Sequence, residues 1–255
     1  MPQPQIVGII PARMESSRFP GKMLTDILGK SLIQRTYENA CRSKFLDHVV
    51  VATDDPRIYA HLAQLGGEVV LTSADCQTGT DRVAEAARTY FPYSQIIVNI
   101  QGDEPCLDPQ VIDRLIERMA QNKEYEMVTA AALIHDEERI DSPHVVKTLF
   151  DQNGRALYFS RNRLPFPYKR EGKYYRHIGI YAYRSSLLGF LSRLSATPLQ
   201  LTEDLEQLKV LESGYPIYVE VVDDQAIGVD TLQDLEVIKK FICKKKENIY
   251  SSQEA

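Results

Sequence analysis

Four short apolar runs in the first hundred residues constrain the fold more than any other feature. They are QIVGIIPA (Gln5–Ala12), DHVVVATD (Asp47–Asp54), GEVVLTS (Gly67–Ser73) and SQIIVNIQ (Ser94–Gln101). An uninterrupted apolar strand has to be buried on both faces, and a sheet achieves that when helices cover each side. Helix-like segments stand between the runs. SLIQRTYENACRS has apolar residues at helical spacing and Ser31 as N-cap; DPRIYAHLAQLGG places Pro56 in a first turn and ends in glycine. TDRVAEAARTYF is rich in helix formers, and DPQVIDRLIERMAQ repeats the Asp-Pro start. Strand and helix in alternation predict right-handed crossovers and a mostly parallel sheet.

The pattern changes near Met127. EMVTAAALI reads as a strand, and HVVKTLFDQNGRALYFS carries Asn153-Gly154 between two apolar segments, the signature of a hairpin with a type I′ turn. KYYRHIGIYAYR reads as another strand, so the middle third is expected to be antiparallel. Helices around SSLLGFLSRL and LTEDLEQLKVLESG follow, then a strand, PIYVEVVDD, and a last helix, TLQDLEVIKKFICKKK. The reading divides the chain into a nucleotide-binding α/β part (1–126) and a β-rich sugar-binding and dimerisation lobe (127–200). A returning helix, strand and final helix (201–243) and a flexible tail (244–255) complete it.

Composition narrows the function. A net charge of −5 excludes a broad nucleic-acid-binding surface, so any basic patch is local. No apolar run approaches the roughly 18–20 residues that span a bilayer. The opening MPQPQIVGII lacks a charged n-region, which predicts no signal peptide and no membrane insertion. The cysteines form no C-x-x-C pair and the histidines no H-x-x-x-H. Free thiols, no transition-metal site and a cytoplasmic location are therefore expected.

In open α/β sheets, ligands bind beyond the carboxyl ends of the strands. Arg13, Arg18 and Lys22 follow the first run, Thr53-Asp54-Asp55 the second, TSADCQTGTDR the third and QGDEP the fourth. One rim thus offers cations, small polar groups and carboxylates, the mixture that a nucleoside triphosphate with Mg²⁺ requires. Neither G-x-x-x-x-G-K-[ST] nor G-x-G-x-x-G is present, so the cationic loop is either a solvated turn or a phosphate grip of another design. Asp103, after Gly102, is the sharpest metal-ligand candidate, and Asp230 in IGVDT is either a second ligand or the N-cap of the last helix. Thr80 or Asp81 is expected to cap the helix after SADCQTG, with Gly79 in the turn; alternatively, main chain from Ser73 to Gly79 reads a base while Arg82 reaches phosphate. Arg161, His177, Glu206 and Gln207 suit an acidic sugar, with a packed core and a solvated helix face as the competing accounts.

Taken in order, IIPARMESSRFPGKML, VVVATDDPRI, GGEVVLTSADCQTGTDRVAE, IVNIQGDEP, VVKTLFDQNGRALYFSR, RHIGIYAYR, LEQLKVLESG and IGVDTLQDLE resemble the CMP-Kdo synthetase (3-deoxy-manno-octulosonate cytidylyltransferase) family. The likeness runs from about Ile6 to about Lys240. It implies a Rossmann-like domain of glycosyltransferase-A (nucleotide-diphospho-sugar transferase) type, usually a homodimer. The implied reaction joins CTP to Kdo with release of pyrophosphate, for lipopolysaccharide assembly. By resemblance, Arg13 and Lys22 contact the triphosphate, and Ala12, Ser73, Ala74, Gly79, Arg82 and Gln101 lie by the nucleotide. Asp103 and Asp230 hold Mg²⁺, while Gln101, Arg161, His177, Tyr181, Glu206 and Gln207 bind the sugar. Met14-Glu15, Met23, Ser31 and Gln200 depart from the family's usual residues. The competing readings are a cytidylyltransferase for another acidic sugar such as a sialic acid, a catalytically idle nucleotide-binding module, and a dimer-forming structural protein.

Overall fold

The computed structural model describes residues 5–15, 19–223 and 228–251, with side chains described as far as Lys244. Arg18 of the cationic loop and residues 252–255 lie outside the described residues.

The expected alternation is present. Strand β1 (Ile6–Ala12) leads through a single 3₁₀ turn (Lys22–Leu24) and a small ribbon, β2 (Asp26–Ile27) and β3 (Lys30–Ser31), into helix α1 (Leu32–Ala40). Then come β4 (His48–Thr53), α2 (Pro56–Gln64), β5 (Val69–Leu71), α3 (Gly79–Tyr90), β6 (Ile96–Asn99) and α4 (Pro109–Gln121). The second half contributes β7 (Met127–Leu133), α5 (Glu137–Asp141), β8 (Lys147–Phe150), β9 (Ala156–Ser160) and β10 (Tyr175–Arg184). It ends with α6 (Ser185–Leu191), α7 (Pro198–Glu203), α8 (Glu206–Glu212), β11 (Tyr218–Val221) and α9 (Leu232–Ser251). Backbone of the expected tail is thus helical to Ser251.

The main sheet has the order β11-β7-β10-β6-β1-β4-β5. Neighbours are parallel except at β10, which runs antiparallel to both β6 and β7. The segment read as a β-rich lobe therefore supplies β7 and β10 to the same sheet, and only the β8–β9 hairpin stands off its path. Apolar runs are continuous because successive residues enter different cores. In β1, Ile10 and Ala12 face the core under α1 and α4, whereas Val7 and Ile9 face the one under α3 and α6. Val49 and Val51 divide from Val50 and Ala52 in the same way. Each such side chain contributes on the order of 1.5–3 kcal/mol through burial.

Local chemistry sets the helix starts. Ser31 Oγ accepts the Gln34 N–H at 3.1 Å, and Asp55 and Asp108 cap the two Asp-Pro helices. Three details differ from expectation. Thr78, not Thr80 or Asp81, is the N-cap of α3, with Asp81 completing a capping box and Gly79 as the first helical residue. Hairpin β8–β9 forms at Asn153-Gly154, but Gly154 alone has positive φ (81°), and its N–H donates to Asp151 O at 3.0 Å. With one positive φ instead of two the turn is not type I′; Asp151 Oδ1 accepts from the N–H groups of both Asn153 and Arg155 and helps to close it. Finally, the helix expected across LTEDLEQLKVLESG is two helices, broken at Asp204, which has φ 53°.

Gly154→Ala would combine a left-handed backbone with a Cβ 3.1 Å from Val219 O and 2.7 Å from Arg118 Nη2. It is expected to cost on the order of 1–3 kcal/mol of stability in urea unfolding, with turnover of the folded protein unchanged because the turn is remote from the cavity.

Candidate active site

A cavity of about 410 Å³ opens at the carboxyl ends of β1 and β6 and reaches across to β10 and the start of α8. Ala12, Arg13, Lys22, Gly79, Arg82, Gln101, Asp103, His177, Tyr181, Glu206, Gln207 and Asp230 all line it. Ser73, Ala74 and Arg161 do not.

One end is built around Lys22. Gly21 takes φ 73° and donates its N–H to Met14 O at 3.0 Å, closing the loop that turns Lys22 inward. Lys22 is a buried residue, 8% exposed, and its ammonium donates to Asp103 Oδ2 at 2.7 Å, to Val229 O at 3.1 Å and to Asp230 Oδ1 at 3.4 Å. Gly102 lets the β6 loop lie against β1, because a Cβ there would stand 3.0 Å from Pro11 O. Val229 N–H donates to Asp103 O at 2.8 Å and locks the two aspartate segments together. Capping of α9 falls to the neighbours of Asp230: Asp234 Oδ2 accepts the N–H groups of Asp230 and Thr231 at 3.0 and 2.7 Å. The N-cap account of Asp230 is thereby replaced, and its carboxylate faces the cavity.

At the other end, the break at Asp204 puts Glu206 and Gln207 in the first turn of a new helix instead of along a solvated face. Thr80 donates its hydroxyl to Glu206 Oε2 at 2.5 Å, joining the starts of α3 and α8. Gln207 is 4% exposed, and its Oε1 accepts the Tyr181 hydroxyl at 3.3 Å. Its Nε2 is buried without a hydrogen-bond acceptor among the described residues. Such an orphan donor in a cavity wall is costly unless a ligand accepts from it. Burial raises the Tyr181 pKa well above the ordinary phenol range, so the group stays a donor.

His177 adjoins this end, with its ring 5.5 Å from Tyr181 and edge-on to Phe159 at 5.0 Å. Removal from bulk water, aided by Arg176, lowers its pKa toward about 3. Thr129 Oγ1 donates to Ile180 O at 2.8 Å, so it accepts from the His177 Nε2–H at 3.0 Å. The ring is then neutral and its Nδ1 is an acceptor, suited to a hydroxyl and not to a carboxylate.

The remaining expected residues are held by contacts within the protein. Arg82 is held to Thr72 Oγ1 at 2.5 Å and to Asp54 Oδ1 at 3.0 Å, and Ser73 N–H donates to Glu85 Oε1 at 2.7 Å. Arg161 donates to the carbonyls of Glu203, Pro143 and Asp204 at 2.7, 3.0 and 3.3 Å. Its guanidinium therefore braces the α7–α8 break beside the cavity. Lys147, fully buried, continues this brace by donating to Ser142 O, Val145 O and Arg161 O. Thr80 and Asp204 also line the cavity, and Thr129 meets His177, although the sequence pattern singles out none of the three as a site residue. The T-x-x-D spacing of Thr78 and Asp81 was a legible cap, whereas Thr129 meets His177 only through the pairing of β7 with β10.

A histidine held neutral makes folding sensitive to acid. The unfolded chain binds a proton on His177 below its ordinary value near 6.5, while the folded chain resists until about 3. Stability is expected to fall as pH drops through that window, by up to about 1.4 kcal/mol per pH unit. His177→Gln should flatten this component in urea titrations between pH 4 and 7; equal slopes in both proteins would refute the assignment.

Comparison with known proteins places this geometry in a family. The cytidylyltransferase family model matches residues 7–224. The 3-deoxy-manno-octulosonate cytidylyltransferase of Chlamydia pneumoniae is 50% identical over 92% of this chain and 93% of its own length. That of Protochlamydia amoebophila is 48% identical over 94% and 95%. Among solved structures, CMP:2-keto-3-deoxy-manno-octonic acid synthetase complexed with CTP superposes with a TM-score of 0.90 at 36% identity, over 94% of this chain and 99% of that one. A cytidylyltransferase from Leptospira borgpetersenii, 21% identical with a TM-score of 0.62 over 92% of this chain and 85% of its own, shares the fold. Near-full-length identity of this order, with the charged rim and the polar far wall both in place, makes the chain a member of the 3-deoxy-manno-octulosonate cytidylyltransferase family.

Proposed function

We propose that this protein transfers the cytidylyl group of CTP to 3-deoxy-manno-octulosonate (Kdo), forming CMP-Kdo and pyrophosphate for lipopolysaccharide synthesis. The observation that carries the reading is one cavity with two chemically different ends. Lys22, Asp103 and Asp230 meet at one, and His177, Tyr181, Glu206 and Gln207 cluster at the other, with Arg13 also in the lining.

The reaction is an in-line displacement. The anomeric 2-hydroxyl oxygen of Kdo bonds to the α-phosphorus, the bond to the β-phosphate bridging oxygen breaks, and the hydroxyl proton is lost. Most of the acceleration comes from positioning and charge compensation. Arg13 and Lys22 counter the charge that grows on the departing pyrophosphate. Gln207 Nε2 finds its acceptor in the sugar, while Glu206 and the His177 Nδ1 accept from sugar hydroxyls. Gln101 sits between the ends, since a Cβ on Gly179 of β10 would stand 3.3 Å from its Cγ. The absent side chain at Gly179 lets Gln101 reach the sugar strand.

Mg²⁺ suits Asp103 and Asp230. Both carboxylates already share one cation, the Lys22 ammonium, and Mg²⁺ takes only one or two carboxylates beside phosphate and water. Among the described residues no cluster of three His, Cys, Asp or Glu forms a protein-only cage. Bound there, the ion would neutralise phosphate charge and polarise the α-phosphoryl oxygens. Among the described residues no helix is long and apolar enough to cross a membrane. A cytoplasmic homodimer is the state we propose for the working enzyme.

Purified protein with CTP, Mg²⁺ and Kdo is expected to release pyrophosphate, and sialic acid in place of Kdo is expected to release none. Release with sialic acid alone would overturn the sugar assignment. Asp103→Asn should lower kcat by roughly 10²–10³-fold, the usual loss on removing a strong electrostatic stabiliser. Gln207→Leu, which removes the orphan donor, should act mainly on the KM for Kdo and leave CTP binding intact. Near-full turnover of Asp103→Asn with unaltered Mg²⁺ dependence would remove that residue from the metal site.

A further inference from the structure

We propose that Lys22 is a built-in place-holder, a cation that keeps the Asp103–Asp230 pair closed to a metal ion until a nucleoside triphosphate draws it away. The proposal rests on the metal assignment above and adds an order of events: metal and nucleotide enter together, and metal alone is refused.

Three facts carry it. A lysine ammonium has three N–H donors, and those of Lys22 face three acceptors: Asp103 Oδ2, Val229 O and Asp230 Oδ1. The arrangement therefore leaves no donor for a phosphate, so Lys22 cannot serve both partners in one position. Second, the Lys22 side chain is 9% exposed and that of Asp103 27%, so this pair is screened less than a surface ion pair. A divalent ion on the same carboxylates would stand a few ångströms from a fixed positive charge, and that repulsion is strong in a partly buried site. Third, the two main-chain segments that carry the carboxylates are held together independently of Lys22, through Val229 N–H on Asp103 O at 2.8 Å and the Thr231–Asp234 box behind Asp230. Moving the ammonium exposes a metal site without having to rebuild it.

The triphosphate supplies the exchange. Its oxygens offer the ammonium new acceptors along the cavity, and lysine, a compact charge on a flexible stem, can swing between the two sets. The carboxylates thus freed and the phosphates together then present the oxygen set that Mg²⁺ prefers. Because coupling is reciprocal, metal must tighten nucleotide binding by the factor with which nucleotide tightens metal binding. A lysine that only neutralised phosphate would produce no suppression of metal binding in the free protein.

The test follows Mn²⁺ by water-proton relaxation in the full-length protein, without Kdo, so that no turnover occurs. Wild type, Lys22→Met, Lys22→Gln and Asp103→Asn are titrated with Mn²⁺ alone and with Mn²⁺ plus CTP. Wild type should bind Mn²⁺ weakly alone and firmly with CTP, and Asp103→Asn should lose the CTP-dependent site. Both Lys22 variants should bind Mn²⁺ alone on the order of tenfold more tightly than wild type. Their melting temperatures, lowered by loss of the ammonium between two carboxylates, should rise on adding Mn²⁺, whereas that of wild type should not. Lys22 variants that bind Mn²⁺ no better than wild type, beside an intact CTP-dependent site, would overturn the place-holder and leave the metal assignment standing. Absence of any Asp103-dependent Mn²⁺ with CTP would overturn both.

Discussion

One buried ammonium ties the active end of this molecule together. Lys22 comes from the loop after β1, Asp103 from the loop after β6, and Val229 and Asp230 from the approach to α9. Three segments more than eighty residues apart in the chain thus meet at one charge. Removing one partner of such a pair leaves a charge poorly solvated, and the cost of that exceeds the net worth of the pair itself. The constraint explains why glycine precedes both key residues: Gly21 turns the chain so that Lys22 points inward, and Gly102 lets the β6 loop touch β1. It also explains why the helix cap beside Asp230 is supplied by Thr231 and Asp234.

The sugar end is organised differently, by braces outside the cavity. Lys147 holds the Arg161 carbonyl, Arg161 holds the carbonyls around the α7–α8 break, and that break aims Glu206 and Gln207. Carbonyl oxygens at a helix end have no intrahelical partner, so a guanidinium there satisfies several at once. Arg161 thus positions the start of α8. Antiparallel β10 completes the wall: its pairing with β7 is irregular between Ile178 and Tyr181, which brings His177 and Tyr181 into ring contact beside Gln207.

Much of this was legible in the sequence, and the gaps have physical causes. The apolar runs announced the parallel strands because each residue of a doubly covered strand is buried whichever way it points. The cationic loop and QGDEP were legible as chemistry because their residue types are costly to assemble without a ligand. The break at Asp204 was not, since LTEDLEQL contains no glycine or proline to mark the left-handed residue that ends α7. The same limit applies to Arg161, whose distant carbonyl partners no local pattern reveals. His177 could be named, but its neutral state follows from Thr129 and Phe159, which reach it only through the folded sheet.

The central claim is that the two ends of the cavity act on one bond. The most direct measurement is a carbon-13 and phosphorus-31 NMR spectrum of the protein with CTP, Mg²⁺ and Kdo labelled at C2. The account predicts a new C2 resonance split by phosphorus, together with free pyrophosphate. Pyrophosphate without that coupling would mean hydrolysis of CTP, and unchanged spectra would mean binding alone; either would contradict it.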